Sequence, residues 1–122
     1  NLNEKIDIPI AVCVTKMDLV TDALDYSSFL RYPSRHLQQD AFELVDYNAC
    51  RMEMYALLKN WGADELIHQV ESQFEHASYF GVSALGSPPD SENRIGHITP
   101  FRVLDPFLWL LAKNEVIRTT WR

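Results

Sequence analysis

A chain of 122 residues is long enough for one domain, or part of one, with a core of its own. Apolar side chains at 47% and charged ones at 23% exclude a disordered chain and describe an ordinary soluble one. Seventeen acidic against eleven basic side chains give a net charge of -6, and with no basic cluster or arginine–aromatic stripe they argue against nucleic acid as a partner.

The opening Asn1-Leu2-Asn3-Glu4-Lys5 lacks the apolar segment of a signal peptide. The most apolar tract, 103–112, is broken by Asp105 and Pro106 and is too short for a bilayer. No membrane partner and a cytoplasmic location are therefore expected. Cys13 falls in a predicted strand and Cys50 in a predicted helix, so both are expected as reduced, packed thiols.

In chain order, 8–14 is an apolar, β-branched run typical of a parallel strand buried on both faces. Pro9 must lie at its start, because proline cannot donate to a central ladder. Residues 18–33 are irregular. Thr21-Asp22 and Ser27-Ser28 are candidate caps, and Tyr26, Phe29 and Tyr32 are expected to pin this stretch to the body. Residues 34–61 read as a helical insertion, one helix or two broken near 46–48, with Ser34 as N-cap and Gly62 as stop. Its buried face is read as Leu37, Ala41, Leu44, Val45, Ala49, Met52 and Ala56, with Glu43, Asp46 and Glu53 on the outer face.

A helix over 64–74 should bury Leu66, Ile67, Val70 and Phe74. Residues 78–82 read as the next strand, and 86–99 as a surface loop. A last helix over 105–118 has Asp105 as N-cap, Pro106 at its first position, and Leu108, Leu111, Ala112 and Val116 inside. The fold class is thus α/β: a partial parallel sheet of two strands flanked by helices, with right-handed crossovers and a helical insertion. Two strands cannot cover several helices, so more sheet is expected from elsewhere. The chain also opens without methionine and comes at once to a strand, which suits an excised domain, a proteolytic fragment or a chain whose front is missing, and composition does not choose among them.

The first strand ends in Thr15-Lys16-Met17-Asp18, and ligands of open α/β sheets bind just beyond the carboxyl ends of strands. A carboxylate there can take two adjacent N–H donors of a planar ligand as a charge-assisted pair. Lys16 can lay its stem along such a ligand, with its ammonium in water. The second strand ends in Ser83-Ala84-Leu85. The two boxes, in this order, resemble those with which P-loop GTPases of the Ras-like, translation-factor-related kind read guanine. Tyr79 to Leu85 followed by Arg102-Val103-Leu104-Asp105-Pro106 and an apolar helix also looks like bacterial double-GTPase-type proteins.

The resemblance covers most of the chain as fold and seven residues as motif. It implies that Asp18 and Lys16 hold the base of GTP or GDP, that Thr15 braces the loop, and that an amide of the Ser83-Ala84-Leu85 box meets the guanine carbonyl. The stretch between the boxes is longer than in small Ras-like proteins, and it is where a protein partner would dock. No Gly-x-x-x-x-Gly-Lys-Ser/Thr and no magnesium-positioning Asp-x-x-Gly follows a strand anywhere in the chain. Phosphoryl transfer depends on those parts. The phosphate half, with its Mg2+, is therefore expected upstream, and these residues alone are expected to be inactive. The alternative is an α/β interaction module that binds no nucleotide, and either form should self-associate through its open sheet edge.

Other groupings read more plainly. His68, Glu71, Glu75 and His76 describe a solvated helix surface without a converging third ligand, and His36 and His97 are isolated. Gly81 to Gly86 misses the spacing of a hydrolase nucleophile elbow by one residue. Trp61, Trp109 and Trp121 read as core or interface anchors.

Overall fold

The computed structural model describes residues 4–20, 23–36, 41–84 and 100–120. Strands β1 (Ile10–Val14) and β3 (Ala77–Gly81) pair in parallel with Ile10 opposite Ala77 and Val14 opposite Gly81. A bridge between Ile6 and Phe74 continues the ladder towards the amino ends. Between the strands lie helices α1 (Leu44–Asn60) and α2 (Asp64–Gln73), and after them comes α3 (Asp105–Lys113). A second, separate parallel pair is formed by β2 (Phe42–Glu43) with β4 (Thr119–Thr120), two residues each. The described residues form a small α/β fold with two short parallel sheets and three α-helices.

Side-chain alternation along β1 and β3 divides the core in two. On one face Ile10, Val12, Val14 and Tyr79 pack with Cys50, Met54 and Leu58 of α1 and with Ile67 and Val70 of α2. On the other, Ala11 and Phe80 meet Phe42, Tyr47 and Trp109, whose rings stand 5.2–6.5 Å apart in offset and tilted pairs. Trp109 is thus a core anchor, whereas Trp61 lies half exposed at the end of α1. Trp121 lies outside the described residues.

Several boundaries differ from the sequence reading. β1 begins at Ile10, since Pro9 offers no amide and Ile8 faces solvent. α1 begins ten residues later than its apolar spacing suggests, and Ser34 is not its cap. The Glu43 carboxylate takes that role, accepting from the amides of Val45 and Asp46 at 3.1 and 2.8 Å. Its buried face runs Asp46, Cys50, Met54, Leu58, one residue every four, while Val45, Met52 and Ala56 are exposed. Leu37 lies outside the described residues.

Elsewhere the corrections are smaller. In α2, Leu66 is exposed while Ile67 and Val70 are buried as expected. Cys13, read as packed, is exposed: side-chain alternation turns it to the face opposite Val12 and Val14. Asp105 is the first residue of α3 rather than its cap, and Val116 lies beyond the helix in solvent. Ser28 does cap a turn, accepting from Leu30 at 3.1 Å, and Leu30 rather than Tyr26 pins this stretch. Thr21-Asp22 and the stretch 86–99, His97 included, lie outside the described residues. No helix among the described residues is long and apolar enough to cross a membrane.

Candidate functional site

Parallel pairing with Val14 opposite Gly81 brings the two strand ends to one level, and the loops that follow are locked together. The Val82 amide donates to Val14 O at 2.9 Å, and the Met17 amide donates back to Val82 O at 3.1 Å. Lys16 turns the first chain sharply with a left-handed backbone (φ 61°), and Met17–Leu19 then forms a single 3-10 turn. Met17 drops into the core against Gly81, where a Cβ would stand 2.8 Å from Met17 Cγ and 2.8 Å from Met54 Sδ. Only a residue without a side chain permits that approach. Its effect is to aim the neighbouring residues, Lys16 and Asp18, outward.

Asp18 is only partly buried, and its Oδ1 accepts from the hydroxyl of fully buried Ser83 at 2.5 Å. The two boxes, 65 positions apart, thus meet through their own side chains. Thr15, Lys16 and Asp18 line a cleft of about 500 Å³ with Leu19, Val82, Ala84 and Val103. A few polar groups on otherwise apolar walls are what a small-molecule site requires. Ser83 N–H is occupied by Phe101 O at 3.0 Å, which leaves the amide of Ala84 without an acceptor among the described residues. Thr15 is exposed and its hydroxyl has no partner there either. The loop is braced by Met17 and Ser83 instead. Leu85 lies outside the described residues.

A second constellation was not legible from the sequence. Arg102, its side chain 1% exposed, donates to Asp46 Oδ1 at 2.8 Å and Oδ2 at 2.9 Å, to Asp105 Oδ2 at 2.8 Å, and to the carbonyls of Phe29 and Tyr32 at 2.9 and 3.0 Å. Burial works against its charge, but the bonds to Asp46 and the surrounding negative groups outweigh it and raise its pKa. Burial also pushes the Asp105 carboxyl up, and Asp105 Oδ1 is buried with no hydrogen-bond partner. Glu43 and Asp46, read as an outer helix face, are therefore wholly buried, and Glu53 reaches the Ser28 hydroxyl.

His36, read as isolated, is part of this cluster. It stacks on Phe42 at 4.2 Å, and its Nε2 lies 3.5 Å from Asp46 and 3.9 Å from Asp105. His36, Asp46 and Asp105 have the composition of a metal-binding triad. The imidazole argues otherwise. Its Nδ1 accepts the Glu43 amide at 2.8 Å, so the ring proton sits on Nε2, the atom a metal would need bare. Asp7, Glu75 and His76 also come within reach of one another, but as a solvent-facing group with His76 Nε2 3.5 Å from Asp7.

Comparison with protein-family models, with curated proteins and with solved structures returned no match. The geometry alone carries the functional argument. On the remaining helix surface, Glu71 turns inward to accept from Tyr79 at 3.4 Å, while His68 is exposed.

Proposed function

We propose that this chain holds the base-recognition side of a guanine-nucleotide site, in a fold that is one half of a P-loop GTPase-like domain, and that it performs no phosphoryl transfer alone. The observation that carries the reading is the bond from Ser83 to Asp18 Oδ1. It fixes a carboxylate at the mouth of an apolar cleft, and among the described residues Oδ2 is left for a ligand. Guanine offers two adjacent donors to such a group. Adenine would leave it unpaired, so the site discriminates by hydrogen bonding rather than by shape.

Lys16 at the rim supplies a stem to cover the base plane, Leu19, Val82 and Val103 supply apolar walls, and the Ala84 amide is the open donor for the base carbonyl. GTP or GDP thus fits the donor set. Magnesium does not, because among the described residues Asp18 is the one carboxylate lining the cleft and it is engaged by Ser83.

The test is binding of GDP against ADP by the full-length protein, followed by fluorescence of labelled nucleotide. Guanine preference of about tenfold or more is expected, and Asp18→Asn should abolish it. Equal binding of the two nucleotides, or an Asp18→Asn protein with its preference intact, refutes the proposal.

A further inference from the structure

Arg102 does not line the cleft, but its neighbour Val103 does, and its neighbour Phe101 pairs with Ser83. Phe101 exchanges two backbone bonds with Ser83, N–H to O at 2.7 Å and O to N–H at 3.0 Å. Val103 lines the cleft facing Lys16 and Asp18. Between them Arg102 adopts a left-handed backbone (φ 55°), a conformation that side-chain-bearing residues avoid unless the surroundings impose it.

What imposes it is the guanidinium. It is fixed by five hydrogen bonds, to both oxygens of Asp46 in α1, to Asp105 in α3 and to two carbonyls of the stretch that follows the Asp18 loop. An arginine fork fits such a bidentate arrangement, whereas a lysine ammonium does not. The turn at Arg102 therefore places its side chain in the core, with Phe101 paired to Ser83 on one side and Val103 at the cleft on the other.

We infer that Arg102 is the positioning residue of this cleft: clamped by Asp46 and Asp105, it holds the 101–103 segment that fixes Ser83, and through Ser83 it orients the Asp18 carboxylate. This rests on the base-recognition reading for its effect on ligands, but its effect on the Ser83–Phe101 pairing does not. Base selectivity is then set in part by a side chain that never contacts the base. A residue that was merely structural would lower apparent affinity for every nucleotide alike, by reducing the competent fraction. A positioning residue changes the ratio between them.

Two measurements on the full chain separate these cases: the ratio of 5′-AMP to 5′-GMP dissociation constants by NMR titration, and amide hydrogen exchange without ligand. In Arg102→Lys, the guanine preference should fall from about tenfold to under about threefold. Exchange of the Ser83 and Phe101 amides should quicken by about tenfold or more, while those of Met54 and Tyr79 stay protected. If Arg102→Lys does not fold, Asp105→Ala, which removes one of the two carboxylate anchors, is judged by the same two readouts. A folded variant that keeps both its preference and its slow Ser83 and Phe101 exchange overturns the inference, as does one that changes only one of them. A wild-type protein without guanine preference refutes the base-recognition reading instead, and exchange at Ser83 and Phe101 then decides by itself whether Arg102 holds the segment.

Discussion

Replacing Asp46 by asparagine tests the buried ion cluster with almost no change of shape. In the native chain both carboxylate oxygens accept from Arg102, at 2.8 and 2.9 Å, with both side chains 1% exposed. An asparagine keeps one acceptor and turns an NH2 donor against the guanidinium. The loss includes one charge-assisted bond, about 1.5–3 kcal/mol, and a buried cation left with less compensation. Broken buried pairs cost about 3–5 kcal/mol, so a value of about 3 kcal/mol is expected for this conservative change. Against a total stability on the order of 5–15 kcal/mol the variant should fold but be visibly weakened. Urea denaturation followed by the fluorescence of buried Trp109 should show a midpoint lower by roughly 1–2 M with an unchanged slope. A shift under about 0.5 M would mean that Asp46 is solvated and that the cluster does not hold α1 to α3.

Three further outcomes follow from the same geometry. Gly81→Ala forces a Cβ to within 2.8 Å of Met17 Cγ, so a loss of about 1–3 kcal/mol and shifted amide resonances at Asp18 and Leu19 are expected; an unperturbed NMR spectrum there would contradict the packing. Burial lowers His36 below its ordinary 6.5, despite Asp105 and Asp46, so stability from its neutral form is present above about pH 6.5 and lost as pH falls through the lowered value. Asp105, raised above 3.8 chiefly by burial, acts in the opposite sense, losing stability as pH rises from 3.8 through its raised value. His36→Gln should therefore flatten the decline on the acid side, and Asp105→Asn should remove the fall on rising pH; urea midpoints taken from pH 4 to 8 that match wild type would refute both assignments. Burial pushes the Cys50 thiol up to about 12, so iodoacetamide at pH 8 should label exposed Cys13 first and Cys50 only on unfolding, and mass spectrometry finding equal rates would place Cys50 wrongly.

The elements that sequence exposed were those with a local signature. β1 and β3 announce themselves as apolar β-branched or aromatic runs, and the polar residues ending each run mark the cleft. The parallel pairing followed from the helices between them. The insertion failed for an equally physical reason. Glu43 and Asp46 carry charge, and a charged helix stripe reads as solvent-facing unless its counterion is known. Here the counterion is Arg102, 56 positions beyond Asp46, and no periodicity reports a contact at that separation. β2 and β4 are two residues each, too short for alternation to register. His36 looked solitary because what defines it, the Glu43 amide on Nδ1 and the Phe42 ring beneath it, comes from β2.

The antiparallel bridge between Ser83 and Phe101 has a practical consequence. It holds Ser83 and Phe101, which flank residues 85–99, directly against each other. Closing a longer loop at fixed ends costs little, about 0.6 kcal/mol for each doubling of its length. That junction is therefore a natural port for engineering. A reporter peptide or small folded tag spliced in between Ala84 and Pro100 should add little closure cost while Ser83 and Phe101 stay paired.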